Sequence, residues 1–139
     1  MVDVWTRERV LAVVEKARQA GVKAGAEQLE KLKGEGDKWI IRDEGGREID
    51  RMLDLCGGAY VVIDCRQPFY RVAKKMEDEK NHRNCGSFWV SKISPGAMFG
   101  IRGLTNRQEA SVNTEAEEAV ANTLRSGGIK VLYVHSYID

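Results

Sequence analysis

The chain has 139 residues, 42% of them hydrophobic and 31% charged, with a formal net charge of +1. That length and balance describe a single domain, residues 1–139, able to bury a core without a disulfide or structural metal, and they exclude a disordered chain. The longest apolar runs are too short for a membrane span, so no membrane partner is expected; Met1–Glu8 lacks the basic head and apolar run of a secretory signal, and three spaced cysteines read as reduced thiols in a cytoplasmic protein.

Thr6 is placed to cap a helix starting at Arg7. Val10, Leu11, Val14, Ala17, Gly21, Gly25, Leu29 and Leu32 repeat at spacings of three and four, which predicts one long helix from about Thr6 to Lys33. Gly21 and Gly25 each weaken such a helix by about 1 kcal/mol relative to alanine. They predict either a bend or the close approach of another backbone. Gly34-Glu35-Gly36 ends the helix. Lys38–Asp43 reads as a strand, and Glu44-Gly45-Gly46 as a tight turn. Residues 47–56 carry both helical and alternating patterns; the glycine turn favours a hairpin, with a short turn or a single helical turn near Met52–Cys56.

Gly58–Cys65 is the most strand-like run, aromatic and β-branched behind a Gly-Gly break. Its nearly continuous apolar character predicts a central strand covered on both faces. Pro68 suits the first position of a helix whose apolar side is Phe69, Val72, Ala73 and Met76. Residues 81–86 read as a polar loop, Ser87–Ile93 as a strand, Ser94-Pro95-Gly96 as a turn, and Ala97–Arg102 as the returning strand. Thr105 with Gln108, and Thr114 with Glu117, have the spacing of capping boxes, so a helix is expected from about Asn106 to Ser126. Ile129–Ile138 is the last strand, apolar enough to need tying into the sheet. The expected fold is α+β: a mostly antiparallel sheet of about five to six strands with three helices in a single layer on one face.

Two stretches carry a resemblance. Met52-Leu53-Asp54-Leu55-Cys56-Gly57 precedes the aromatic strand. Arg107-Gln108-Glu109-Ala110 opens a helix leading to Gly128-Ile129 and a closing His135-Ser136-Tyr137-Ile138-Asp139. Across the last two-thirds of the chain this resembles small uncharacterised proteins encoded in phages and prophages. The resemblance implies an accessory, cytoplasmic role and supplies no activity or catalytic residue.

Charge is uneven along the chain. Residues 66–107 hold nine Lys/Arg against three Asp/Glu, whereas both flanks are mildly acidic. Arg66, Arg71, Lys74, Lys75, Lys80, Arg83, Lys92, Arg102 and Arg107 are interleaved with Phe69, Tyr70, Phe88, Trp89 and Phe99. Cations for phosphates and rings for bases are what a single-stranded nucleic acid requires, provided they share a face. The bland alternative is solvated charge over core aromatics.

Cys56, Cys65, His82 and Cys85 have the composition of a zinc site, with His82 and Cys85 as its only close pair; isolated cysteines are more often small buried hydrophobes. Cys85 with His82 would also suit a thiolate pair. Asp50, Asp54 and Asp64, with Arg66 nearby, have the elements of a magnesium-dependent nuclease if the fold converges them. His135 and Ser136 are adjacent on a strand, point to opposite faces, and form no base–nucleophile pair. Gly57-Gly58 precedes a strand rather than a helix, the wrong context for a phosphate loop.

These observations predict a non-enzymatic accessory protein that acts by binding a nucleic acid or an acidic protein. Its basic face would come from Arg66, Arg71, Lys74, Lys75, Arg83, Lys92 and Arg102. The alternatives are a metal-dependent hydrolase using Asp54 and Asp64, and a protein–protein module, a homodimer through an edge strand. No cofactor or metal is expected.

Overall fold

The computed structural model describes residues 4–79 and 87–139, apart from the side chains of 39 and 49–52. Helix α1 (Arg7–Glu35) starts where Thr6 Oγ1 accepts the Arg9 N–H at 3.1 Å, and ends at Gly36 with φ +83°. Its buried positions Val10, Val14, Ala17, Gly21, Gly25 and Leu32 form the stripe that the spacing predicts. Of the two readings of its glycines, close approach is realised. A Cβ on Gly21 would stand 2.8 Å from Leu104 Cδ2 and 3.2 Å from the Ala116 carbonyl oxygen of helix α3 (Ala110–Ser126).

Strands β1 (Trp39–Arg42) and β2 (Glu48–Met52) form the expected hairpin. Asp43 Oδ1 accepts the N–H groups of Gly45 and Arg47, and Gly46 takes φ +82° in the turn. The hairpin does not extend the main sheet, which corrects the expected count. The main sheet has four strands rather than five or six: β3 (Gly57–Ile63), β4 (Phe88–Lys92), β5 (Ala97–Ile101) and β6 (Val131–Ile138), in the order β4-β5-β3-β6, all antiparallel. β5 and β6 occupy both sides of β3, and β2 pairs with β1 alone.

The three described helices lie on one face of this sheet. Helix α2 (Pro68–Asp78), with Pro68 in its first turn, contributes Phe69, Ala73 and Met76 to the core. Helices α1 and α3 add Val10, Val14, Val120 and Leu124, and the sheet adds Val61, Ile63, Val90, Phe99 and Ile101. Phe69 sits between Trp5, at 5.0 Å, and Phe99, at 5.4 Å; Phe88 stacks on Phe99 at 5.5 Å. Each fully buried Phe of this kind contributes about 1.5–3 kcal/mol of hydrophobic stabilisation.

Two expectations are corrected here. β3 is central, but the described helices cover only one of its faces. Val62, on the other, is buried between its cross-strand neighbours Met98 and Tyr133. Helix α3 begins at Ala110, not Asn106. The preceding residues run along the start of β3: Gly57 N–H bonds Gln108 O at 2.9 Å, Ala110 N–H bonds Leu55 O at 2.8 Å, and Cys56 bridges Glu109. Thr105 turns its hydroxyl to Asn113 Oδ1 instead of capping, and Thr114 and Glu117 lie inside the helix. Among the described residues, no helix is long and apolar enough to cross a membrane.

Candidate binding face and cleft

The described members of the basic set are spread over several elements, with only Arg71, Lys74 and Lys75 together on α2. Arg66 is held by Asp64, with Nε to Oδ1 at 3.1 Å and Nη2 to Oδ2 at 3.2 Å. Lys130 Nζ lies 3.3 Å from the same carboxylate. The Arg66 side chain, its backbone N–H and Lys130 together hold the Asp64 carboxyl far below the usual range. Lys74 pairs with Glu77 and Asp78, and Arg107 with Glu109. Arg71 and Lys75 border a shallow groove between α1 and α2, with Trp5, Thr6 and Arg7. Lys92 ends β4 and Arg102 follows β5, so they mark opposite ends of one strand pair. Lys80 and Arg83 lie outside the described residues. Of the interleaved aromatics, Phe69, Phe88 and Phe99 are fully buried and unavailable to bases.

His82 and Cys85 also lie outside the described residues. Cys56 and Cys65 flank opposite ends of β3, and no group of three metal-ligating side chains occurs among the described residues. Asp54 and Asp64 are likewise separated by the length of β3, roughly 20 Å of strand. Asp54 Oδ2 accepts the Ser111 N–H at 3.0 Å at the start of α3, while Asp64 organises the turn after β3. The two do not share a site. The side chain of Asp50 is not described.

The helix-free face of the sheet has a different character. Alternation places Tyr60, Val62, Trp89, Ser91, Met98, Tyr133, His135 and Tyr137 on it, together with Gly58 and Gly100. No carboxylate stands among these positions. Tyr60 packs against His135 at 5.0 Å and Tyr137 at 6.5 Å, between ring centroids. Two of the rings lie across glycines on the neighbouring strand. A Cβ on Gly100 would be 2.0 Å from Trp89 Cε2, and one on Gly58 would be 2.5 Å from Tyr137 Oη. Because these glycines have no side chain, the Trp89 ring and the hydroxyl end of Tyr137 can come close to the backbone. Trp89 is half-buried, whereas Tyr133 and Tyr137 on β6 are 39% and 45% exposed.

A cleft opens at one end of the same sheet. The β3–β5 ladder joins only Val61–Ile63 to Phe99–Ala97, although β3 begins at Gly57 and β5 ends at Ile101. Where the strands part, a cavity of about 260 Å³ is bordered by Gly57–Ala59, Ile101, Gly103–Thr105, Asn113, Ala116, Glu117 and Tyr137. Asn113 Nδ2 is committed to Gly57 O at 2.9 Å and Arg107 O at 3.1 Å, and its Oδ1 to Thr105. Glu117 Oε2 is enclosed and has no hydrogen-bond partner among the described residues. Burial pushes this carboxyl up to about 8, so it is largely protonated at neutral pH.

Sequence reasoning passed over the rings of β3 and β6. Their signal was present as the alternation Tyr133-x-His135-x-Tyr137 and the glycines at 58 and 100, which matter only once the cross-strand register is known. Glu117 had a weaker signal: it follows Asn113 by four residues on a helix whose neighbouring positions are apolar. Comparisons with protein-family models, curated proteins and solved structures gave no match for this chain.

Proposed function

We propose that the protein works by binding, without catalysis, and that single-stranded nucleic acid stacks its bases on the helix-free sheet face. The observation that carries the reading is the pair of rings, Trp89 and Tyr137, each set close over a glycine of the neighbouring strand, with Tyr137 near Tyr60 and Tyr60 against His135. Base–aromatic stacking contributes about 1–3 kcal/mol per base and tolerates any sequence. Arg102, and Lys92 reaching round from the other side of the sheet at the end of β4, supply contacts for phosphates. An acidic protein finds less there, since the rings themselves carry no fixed positive charge. Such a role suits the phage or prophage setting that the sequence resemblance implies.

The test is fluorescence anisotropy of a labelled single-stranded oligonucleotide at several salt concentrations. Two phosphate contacts give a log–log slope of about −1 to −2, at roughly 0.7 per contact. Replacing the exposed ring in Tyr137→Ala should weaken binding about fivefold or more. No binding, or affinity indifferent to Tyr137→Ala and Tyr133→Ala together, would overturn the reading. A slope much steeper than −2 would return the function to the wider basic set, including Arg71 and Lys75.

A second reading has its own observation. β6 is an eight-residue edge strand, hydrogen-bonded to β3 on one side. Pairing of two copies along it would make a homodimer with a continuous sheet. Sedimentation equilibrium across a hundredfold concentration range distinguishes this from a monomer.

A further inference from the structure

The two edges of the main sheet are treated differently. On β4 the backbone N–H of Val90 is taken by the Glu77 carboxylate from α2, and the strand ends at Lys92. A covered, charged edge of that kind resists further strands. The outer edge of β6 pairs with nothing among the described residues. Residues 131–138 read Val-Leu-Tyr-Val-His-Ser-Tyr-Ile, without lysine, arginine, carboxylate, proline or glycine to discourage another strand. The pairing with β3 fixes which backbone groups are open. Asp139 N–H bonds Cys56 O at 2.9 Å, and Gly57, opposite Ile138, turns its N–H away to Gln108. Alternation then directs the N–H and C=O of Val134, Ser136 and Ile138 outward. Tyr133, Tyr137 and Ile138 are exposed along the same strand, an apolar row beside an open ladder.

We infer that the occupant of this edge is the β6 of a second copy, paired antiparallel about a two-fold axis at His135; this deepens the homodimer reading and rests on it. The sequence is mirrored about that residue. Val134 and Ser136 flank it, then Tyr133 and Tyr137, then Leu132 and Ile138. Antiparallel pairing there sets each tyrosine opposite a tyrosine of the other copy, Leu132 opposite Ile138, and Val134 opposite Ser136. Backbone directions agree with it. Val134 and Ser136 both face outward, so they form hydrogen-bonded pairs, while His135 and the tyrosines fall in the close, non-hydrogen-bonded positions where side chains meet. Other axes break the match. One between two residues opposes an outward-facing group to an inward-facing one. One at Val134 sets Ile138 opposite Lys130, and one at Ser136 sets Tyr133 opposite Asp139. A strand from another protein would satisfy the same backbone groups but gives no reason for the mirrored spacing. A contact of this symmetry closes after two copies. The helix-free faces then join across the axis, bringing Tyr133, His135 and Tyr137 of each copy into one aromatic seam.

Cysteine cross-linking tests the axis. In a chain with Cys56, Cys65 and Cys85 replaced by serine, His135→Cys puts two thiols in a close pair. Its Cα atoms would stand about 4.5 Å apart, within the roughly 4.4–6.8 Å that a disulfide spans. Mild oxidation should convert most of the protein to a covalent dimer. Tyr133→Cys or Tyr137→Cys alone should give none, since each would stand about 13 Å from its twin, whereas the two combined in one chain should link. In sedimentation equilibrium the unaltered chain should dimerise. Ser136→Pro removes an outward N–H that β3 does not use, and should weaken the dimer at least tenfold with an unchanged circular dichroism spectrum. Should that variant unfold, His135→Lys, at an exposed position, sets like charges opposite one another and should weaken the dimer in the same way. A dimer that links through Tyr133→Cys or Tyr137→Cys alone, and not through His135→Cys, would overturn the axis and leave the homodimer standing. A dimer indifferent to Ser136→Pro and His135→Lys would place the contact away from β6 and overturn the inference. A monomer at every concentration would overturn both the axis and the homodimer, and oligonucleotide binding by that monomer would leave the stacking reading standing.

Discussion

Two carboxyls in this chain are displaced in opposite directions, and the sign of each displacement sets a testable pH dependence. Glu117, ordinarily ionising near 4.5, is pushed up to about 8 by burial. Between those values the folded chain keeps a proton that the unfolded chain has released, so its contribution to stability is complete below about pH 4.5 and declines as pH rises through 8. Glu117→Gln should therefore match wild type at pH 5 and exceed it at pH 9, by about 2–4 kcal/mol in urea denaturation. Asp64 runs the other way. Its carboxyl is held low by Arg66 and Lys130, so its contribution is present above the ordinary carboxylate range and lost as pH falls below it. Asp64→Asn keeps an acceptor for the Arg66 N–H and removes the charge; its stability should lie below wild type at pH 7, and the gap should narrow as pH falls below the ordinary carboxylate range. At this scale the sequence was partly legible. The opposite orientations of His135 and Ser136 follow from strand alternation alone. Glu117 does not: its spacing from Thr114 mimics a capping box, and only the packing of α3 on the sheet reveals it as buried.

At the scale of elements, the glycines of α1 separate two effects that sequence cannot. Helix propensity favours alanine by about 1 kcal/mol at any interior position. At Gly34, where a Cβ meets nothing within 4 Å, Gly34→Ala should stabilise by about 0.5–1 kcal/mol. At Gly21 the same change puts a Cβ against Leu104, Val120 and the Ala116 carbonyl, and overpacking of about 1–3 kcal/mol should outweigh propensity. Comparing the two denaturation midpoints checks the sign of each. The same reasoning applies to Gly100→Ala, whose Cβ would occupy the place of the Trp89 ring. Secondary structure by circular dichroism should persist, the tryptophan fluorescence should shift, and oligonucleotide affinity should fall with the lost platform. The periodicity of α1 and the hairpin turn were readable because local chemistry sets them. The start of α3 was not, because the bonds from Leu55, Gly57 and Gln108 that hold residues 106–109 outside the helix join segments about fifty residues apart.

Seen whole, the described residues build a four-stranded sheet with helices on one side and rings on the other, beside a separate two-stranded hairpin. The α+β class and single helical layer follow from the order and pattern of elements. The sheet count did not, since a strand's neighbours depend on which edges are already taken. The fate of the basic stretch was equally hidden: net charge along the chain says nothing of Asp64 receiving Arg66 or of Glu109 receiving Arg107. The three ladders of the sheet are unequal. β3 and β6 match at seven positions, β4 and β5 at five, and β3 and β5 at three. The mechanical weak line is therefore between β3 and β5, with Glu117 beneath its open end. Pulled apart or warmed, the sheet should separate first into two ribbons along that line, and deuterium uptake should begin there before it reaches the rest. A molecule wedged at the fork would act as a clasp, slowing uptake along the whole line.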